Sequence, residues 1–172
     1  MVGWVALGVA MLAAACGGGG GGGGDENGFR GVALGSNGYV AVGTDGILSV
    51  APVGKKFDRR DSGVDATLNG VAFANGLYVV IGDSGTILTS PDASAWTVET
   101  VPTTASLQDI VIFDGRFVVV GYAGTILTST DAHTWTRVES GVASALRGIT
   151  FGEGRAVAVG DSGVIITSTD GL

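Results

Sequence analysis

The chain of 172 residues is poor in several residue types, and each shortage excludes a class of function. It contains one cysteine, so no disulfide can form within a chain. With one histidine as well, it has no cysteine–histidine set for a metal ion, and we expect no metal and no cofactor. Its 9 lysine and arginine residues stand against 16 aspartate and glutamate residues, a formal net charge of −7. It therefore lacks the basic surface that binds nucleic acid.

The N-terminal segment is apolar but too short to cross a membrane. Val2 to Ala15 carries no charge. As a helix this run would rise about 21 Å, whereas a hydrocarbon core is about 30 Å thick. Its length and small terminal residues are typical of a secretory signal. We therefore predict a signal peptide over residues 1–15 and export of the protein.

The end of this segment, Leu12 to Cys16, resembles a bacterial lipobox, although Ala13 stands where leucine is usual and the segment lacks lysine and arginine. The resemblance implies cleavage before Cys16, a lipid on its thiol and anchoring to the membrane of the bacterial envelope, at the outer membrane or its periplasmic face. The run Gly17–Gly24 cannot bury a core, so residues 16–28 are predicted to form a tether spanning about 20 Å. An ordinary signal peptide or a buried helix is the alternative.

From Arg30 onward the sequence repeats every 39 residues without insertion or deletion. Two sets of equivalent glycines mark the copies: Gly43, Gly82, Gly121 and Gly160, then Gly46, Gly85, Gly124 and Gly163. A fixed period of this size predicts one supersecondary unit stacked on copies of itself. The second set is expected to supply positive φ angles at a turn.

Each copy has four strand-like segments. In the second copy they are Leu68–Phe73, Leu77–Gly82, Gly85–Ser90 and Trp96–Glu99. A polar–glycine pair such as Asn75–Gly76 separates the first two, which indicates a hairpin. The second strand does not alternate polar with apolar residues, so it should be buried on both faces. Four short strands in about 40 residues predict an all-β propeller, with a β-solenoid as the alternative.

The third turn of each copy has the most specific pattern. It reads Ser-Pro-Asp-Ala-Ser-Ala-Trp in the second copy, with close counterparts in the third and fourth. It resembles the BNR or Asp-box repeat, most of all that of bacterial photosystem II assembly factor-like and sialidase-like propellers. An Asp here can close an Asx-turn, and the Trp can fill the space between blades. We predict structural roles for Ser90, Asp92, Trp96, Ser129, Asp131, Trp135, Ser168 and Asp170.

Residues 30–172 make about three and two-thirds copies, whereas propellers have typically 4–8 blades. The favoured interpretation is that the chain is a fragment of a propeller of about seven blades. Alternatively, two copies assemble a ring of about eight blades, or a strand near residues 28–30 completes the fourth blade. Open blade edges predict self-association. We place the partial propeller at residues 29–172.

The sequence has no convergent set of reactive residues, so we expect no catalytic site. It lacks the arginine cluster with a Tyr–Glu pair that the sialidase resemblance would imply. At the start of the first strand, one position is polar in every copy and varies between copies: Arg30, Asn69, Gln108 and Arg147. A ring of these side chains could bind a protein or an anionic ligand; ordinary solvent exposure is the alternative. We predict a non-catalytic envelope scaffold, with a glycan-directed sialidase-like module or hydrolase fragment as the alternative.

Overall fold

The computed structural model describes residues 28–169, which form 15 strands and two short 3₁₀ turns. The strands are β1 (Phe29–Gly35), β2 (Gly38–Gly43), β3 (Leu48–Ala51), β4 (Asp58–Arg60), β5 (Leu68–Ala74), β6 (Leu77–Gly82), β7 (Ile87–Ser90), β8 (Thr97–Val98), β9 (Leu107–Phe113), β10 (Arg116–Gly121), β11 (Thr125–Ser129), β12 (Thr136–Glu139), β13 (Leu146–Gly152), β14 (Arg155–Gly160) and β15 (Ile165–Ser168). The predicted signal peptide, Cys16, the glycine run and Asp170 lie outside the described residues.

The strands form four antiparallel sheets in which each strand pairs with its neighbours in the chain. Strands β1–β4, β5–β8, β9–β12 and β13–β15 make blades 1 to 4, and blade 4 has three strands within the described residues. The first strand of each blade lies against the first strand of the next, so these strands are innermost. The predicted all-β propeller is confirmed, and its ring is not closed.

The apolar core lies between the blades. One cluster joins blades 1 and 2 and includes Val42, Leu48 and Tyr78, and another joins blades 2 and 3 and includes Ile87 and Phe117. The second strands of blades 2 and 3 are buried on both faces, as their unbroken apolar sequence predicts. Each blade is therefore stabilised by burying apolar side chains against its neighbours rather than by a core of its own.

The two sets of repeated glycines have different structural causes. Gly85 has a φ of 71°, and Gly46, Gly124 and Gly163 are also in the left-handed region, as predicted. Gly82, by contrast, has an extended backbone with a φ of −162°. A Cβ at Gly82 would collide with the carbonyl oxygen of Thr67, so this position requires glycine because two chain segments approach closely.

The strand boundaries differ from the prediction at one turn. The third strand of blade 2 begins at Ile87 rather than Gly85, because Asp83–Gly85 forms a 3₁₀ turn in which Ser84 is also left-handed. The fourth strand is also shorter than predicted, although the Glu99 amide still donates to the Ile87 carbonyl. Both differences arise because backbone hydrogen bonds and φ angles, rather than side-chain pattern, set strand ends.

Residues 28–30 do not complete blade 4, so that alternative is wrong. Residues from Phe29 onward form β1, which pairs with β2 inside blade 1. Among residues 28–169, no helix has the length and apolar character that a membrane span requires.

Candidate functional site

The four variable polar residues share one structural origin, a β-bulge in the innermost strand of each blade. The pairing of the first strand with the second shifts register at this point in all four blades. A bulge adds a residue outside the ladder and can redirect its side chain. We call the four residues at these shifts the bulge ring: Arg30, Asn69, Gln108 and Arg147.

Asn69 connects its own blade to the next one. Its side-chain amide donates to Oδ1 of Asp83 at 2.9 Å and to the carbonyl oxygen of Leu107 at 2.9 Å. Asp83 begins the 3₁₀ turn of blade 2, and Leu107 begins the innermost strand of blade 3. Asn69 therefore holds two neighbouring blades together at the bulge.

Arg147 occupies the same position in blade 4 and also bonds to a 3₁₀ turn. Its guanidinium donates to both carboxylate oxygens of Asp161, at 2.9 and 2.8 Å. It also donates to the Tyr122 hydroxyl of blade 3 at 2.8 Å and lies 4.6 Å from the centre of that ring. The bonds to Asp161 raise the pKa of Arg147, and the same contact lowers the pKa of Asp161. Arg147 is thus a fixed but partly exposed cation.

The other two members of the bulge ring are less constrained. Gln108 has only a long contact, 3.5 Å, from its side-chain amide to the carbonyl of Leu107. Arg30 is exposed in β1. The predicted binding residues therefore lie at equivalent points of the blades, but Asn69 and Arg147 also have a role in joining blades, which the sequence did not indicate.

Asp109 is a half-buried carboxylate that the sequence analysis missed. Its equivalents in the other blades are Gly31, Gly70 and Gly148. Its Oδ1 accepts from the Ile110 amide at 2.9 Å, and its Oδ2 accepts from the Ile149 amide of blade 4 at 2.8 Å. Burial raises the pKa of Asp109, while the two amide hydrogen bonds oppose that rise. A single carboxylate in a series of glycines was the signal that could have identified it.

The Asp-box carboxylates bond to their own turns. Oδ1 of Asp131 accepts from the amides of His133 at 2.9 Å and Thr134 at 2.7 Å, and from the hydroxyl of Ser129 at 2.9 Å. This is the geometry of an Asx-turn. Hydrogen bonds from the amides of Thr134 and His133 hold the pKa of Asp131 well below its ordinary value.

Blade 2 carries an equivalent turn. Asp92 accepts from the hydroxyl of Ser94 at 2.6 Å and its amide at 2.8 Å, and the Ser90 hydroxyl lies 3.2 Å from its Oδ1. These bonds, that of the Ser94 side chain first, lower the pKa of Asp92 to about 2. In blade 4, Ser168 ends β15, and the predicted Asp-box residue Asp170 lies beyond the described residues.

The two tryptophans of these turns lie at blade interfaces. Trp135 is buried 6.4 Å from Phe117, among side chains of blades 2 and 3, and its indole donates to the Ala132 carbonyl at 3.0 Å. Trp96 packs 6.4 Å from Tyr78 at the interface of blades 1 and 2. Its buried indole nitrogen has no hydrogen-bond partner in the described part of the chain.

No cluster of three or more His, Cys, Asp or Glu side chains suited to a metal ion occurs within residues 28–169. His133 and Glu99 form a single contact, Nδ1 to Oε1 at 2.8 Å, between the Asp-box turn of blade 3 and the end of blade 2. The Thr89 hydroxyl donates to the same carboxylate oxygen at 2.6 Å. These groups join blades.

The antiparallel blades, their innermost bulges and the Asp-box turns together define a β-propeller. Comparison with protein families matches residues 65–172, more than half of the chain, to the DUF6242 β-propeller domain. The chain belongs to this family. Comparison with curated proteins gives no match.

Solved structures with the same fold include photosystem II assembly factor propellers, so the predicted resemblance is confirmed. YCF48 bound to D1 peptide has 18% identity and a TM-score of 0.63, covering 83% of this chain and 48% of that one. YCF48 from Cyanidioschyzon merolae has 14% identity and a TM-score of 0.68, with 86% and 55% covered. The computationally designed Ika4 protein also has 14% identity and a TM-score of 0.68, with 84% and 92% covered. The chain spans about half the length of both YCF48 chains, and these likenesses show the fold alone.

Proposed function

We propose that this propeller is a non-catalytic scaffold of the bacterial envelope, and that its bulge ring binds an extended peptide of a partner protein. The observation that carries the proposal is the bulge ring itself. The glycines and Asp-box residues of the repeat serve the fold, whereas the bulge-ring position is polar in every blade and takes three residue types. A polar position that takes several residue types at an equivalent point on the innermost strands is suited to recognition on a repeat scaffold.

Arg147 is the strongest element of this surface. A guanidinium has five N–H donors, and the contacts to Asp161 and Tyr122 use three of them. The remaining donors belong to a side chain that is fixed in orientation and 42% exposed. A fixed donor loses little entropy when it binds a carbonyl or carboxylate oxygen, and both occur along and at the end of a peptide.

The remaining members add donors that also suit a peptide backbone. Arg30 is exposed and Gln108 is weakly bonded, so both can reorient towards a ligand. Support for a peptide, rather than a glycan, comes from the YCF48 propeller whose structure is described as bound to D1 peptide. That binding belongs to YCF48 and supports the proposal by analogy of fold.

The proposal is tested with a cellulose array of unstructured peptides, each with a free and an amidated C-terminus, probed with the full chain. We expect a subset to bind, and Arg147→Ala and Arg30→Ala to weaken that subset at least about tenfold, the loss of one charge-assisted contact. Arg137→Ala is the matched control, because Arg137 is an exposed arginine of the outer strand β12. Binding that is unchanged in both bulge-ring variants, or equally weakened by the control, contradicts the proposal.

The envelope location rests on the lipobox-like end of the N-terminal segment and is part of the same proposal. Mass spectrometry of the membrane fraction should find an N-terminal Cys16 carrying a diacylglycerol. Cys16→Ser should prevent this modification. A mature wild-type chain that begins at another residue and partitions into the soluble fraction contradicts the anchor, independently of peptide binding.

A further inference from the structure

The blade interfaces have two different halves. We call the side of a blade that packs on the preceding blade its leading face, and the side that packs on the following blade its trailing face. Tyr78, on the leading face of blade 2, donates its hydroxyl to the Gly38 carbonyl of blade 1 at 2.8 Å. Val42 and Leu48, on the trailing face of blade 1, pack in the same cluster as Tyr78. Leading and trailing faces are complementary to each other.

The leading face of blade 1 and the trailing face of blade 4 are open in the described part of the chain. Ile165 on blade 4 is 68% exposed, whereas its equivalents Leu48 and Ile87 are fully buried. On blade 1, Tyr39 is 37% exposed, whereas its equivalent Tyr78 is fully buried. The open faces carry these apolar residues: Val32, Leu34, Tyr39 and Phe57 on blade 1, and Val159 and Ile165 on blade 4.

Each open face is therefore half of an interface that the molecule already builds three times between its own blades. A trailing face requires a leading face, so neither open face fits a copy of itself. Such a contact is heterologous, and it closes when the rotation it generates completes a ring. Two copies of the four described blades would give eight blades, which lies within the usual range of about 4–8.

We propose that a second copy of this chain covers both open faces, with blade 4 of each copy packed on blade 1 of the other. The three internal interfaces predict the contacts. Gly35 of blade 1 faces the Phe73 ring of blade 2, and Phe113 and Phe151 meet at the equivalent place between blades 3 and 4, with ring centres 4.4 Å apart. Leu34 is the repeat equivalent of Phe73 and Phe151, and Gly152 is the equivalent of Gly35 and Phe113. In the new interface, Leu34 therefore lies against the partner's Gly152.

The repeat also predicts a polar contact in the new interface. Tyr39 takes the position of Tyr78, so its hydroxyl donates to the carbonyl of the partner's Arg155, as Tyr78 does to Gly38. The two chains together bring eight bulge residues to the ring, two copies of each. The proposal stands on the interfaces between blades and does not depend on what the bulge ring binds.

The first test is the mass of the full chain in solution, measured by size-exclusion chromatography with light scattering. We expect the wild type to be a dimer at micromolar concentration and Ile165→Asp to be a monomer, because the substitution places a charge inside the interface. Val98→Asp is the control: Val98 is 58% exposed but lies on the outer strand β8. This control should remain a dimer, and it carries the same N-terminal segment as the test variant. A monomeric wild type, or an Ile165→Asp variant that stays dimeric, overturns the proposal.

The second test is a crosslink between the predicted neighbours. Leu34→Cys and Gly152→Cys are combined in a Cys16→Ser background and oxidised. Leu34 is exposed, and a Cβ at Gly152 meets no atom within 4 Å, so both substitutions fit the folded chain. We expect a disulfide-linked dimer on a non-reducing gel. Pairing Leu34→Cys with Val98→Cys should give no crosslink.

A disulfide within one chain would mean that the four blades close by themselves, and a ladder of higher species would mean an open head-to-tail chain. Either result overturns the two-chain ring.

Discussion

Blades 3 and 4 share the same repeat and turn pattern but lie in very different environments. Val120 of blade 3 is fully buried, whereas its equivalent Val159 is 45% exposed. A Cβ at Gly124 would collide with the Val142 carbonyl, whereas one at the equivalent Gly163 meets nothing within 4 Å. Since the residues are alike, the difference comes from the neighbours. In a stacked repeat, burial is a property of position in the array.

The interface between these two blades also lacks a feature of the earlier ones. Trp135 and Phe117 fill the space between blades 2 and 3, and Trp96 and Tyr78 fill it between blades 1 and 2. Blade 4 has Ala156 where the others have an aromatic residue. A cleft of about 230 Å³ remains there, lined mostly by aliphatic side chains of blades 3 and 4. The same repeat therefore packs fully in one interface and incompletely in the next.

Replacing Trp135 should reveal the effect of the neighbouring blades most strongly. Trp135→Ala removes a buried indole and its hydrogen bond to Ala132, so we expect a loss of about 3–5 kcal/mol in the free energy of unfolding. Phe57→Ala, at the equivalent but half-exposed position of blade 1, should cost less than about half as much. Urea unfolding in the monomeric Ile165→Asp background measures both. Equal losses would mean that the neighbours do not determine the contribution of this position.

The glycine of the 3₁₀ turn gives a matched pair. Both Gly124 and Gly163 have positive φ, so alanine at either costs about 1–2 kcal/mol in backbone strain. Gly124→Ala adds a collision with the Val142 carbonyl, and we expect a total loss of about 2–4 kcal/mol. Thermal unfolding of the two variants measures the difference. If Gly163→Ala is as unstable as Gly124→Ala, another chain segment must contact Gly163, because no described residue does.

The Asp-box turns should make the stability of the fold depend on pH in the acidic range. The folded-state pKa values of Asp92 and Asp131 lie below the unfolded value, so their contribution is fully present above about pH 4 and is lost as the pH falls towards about 2. Combined Asp92→Asn and Asp131→Asn should flatten the fall in Tm over this range. Asp114→Asn, at an exposed hairpin, is the control and should leave the fall unchanged. Burial of Asp109 acts in the opposite direction, because its raised pKa favours the protonated form in the fold.

Filling the cleft should make the packing of blade 4 resemble that of the other blades. Of the four predictions, this one has the smallest expected effect. Ala156→Phe restores the aromatic residue of the other blades, and we expect a gain of at most about 1 kcal/mol because the cleft is partly open. Differential scanning calorimetry measures it. A large loss would show that the described walls of the cleft are closed to an aromatic ring.

Much of the fold follows from the sequence, because the period and the turn chemistry are local signals. The left-handed Gly85 and the doubly buried second strands could be predicted from their positions in the repeat. The reason for glycine at the extended position 82 could not be predicted. It is the close approach of the Thr67 carbonyl, which lies in another segment of the chain. The start of the third strand at Ile87 was missed because two successive left-handed residues precede it.

The candidate site was predictable in position but not in its contacts. Repeat equivalence identified the bulge ring, since Arg30 and its counterparts are polar in strands whose other positions are mostly apolar residues or glycine. The bond of Asn69 to Leu107 joins two blades, and repeat spacing alone does not give the distance between blades. Asp109 is an exception to the repeat, and rules derived from the shared pattern do not describe exceptions.

A bulge residue that makes no contact between blades separates the evolution of recognition from that of stability. Because the bulge residue is left out of the regular strand pairing, its side chain can change without moving the partners that follow it. Random substitution at the codons of Arg30 and Gln108 would therefore sample many surface chemistries on one unchanged framework, whereas substitution of Asn69 or Arg147 would also remove a contact between blades. Natural sequence drift in such repeats can change specificity in the same way, one blade at a time.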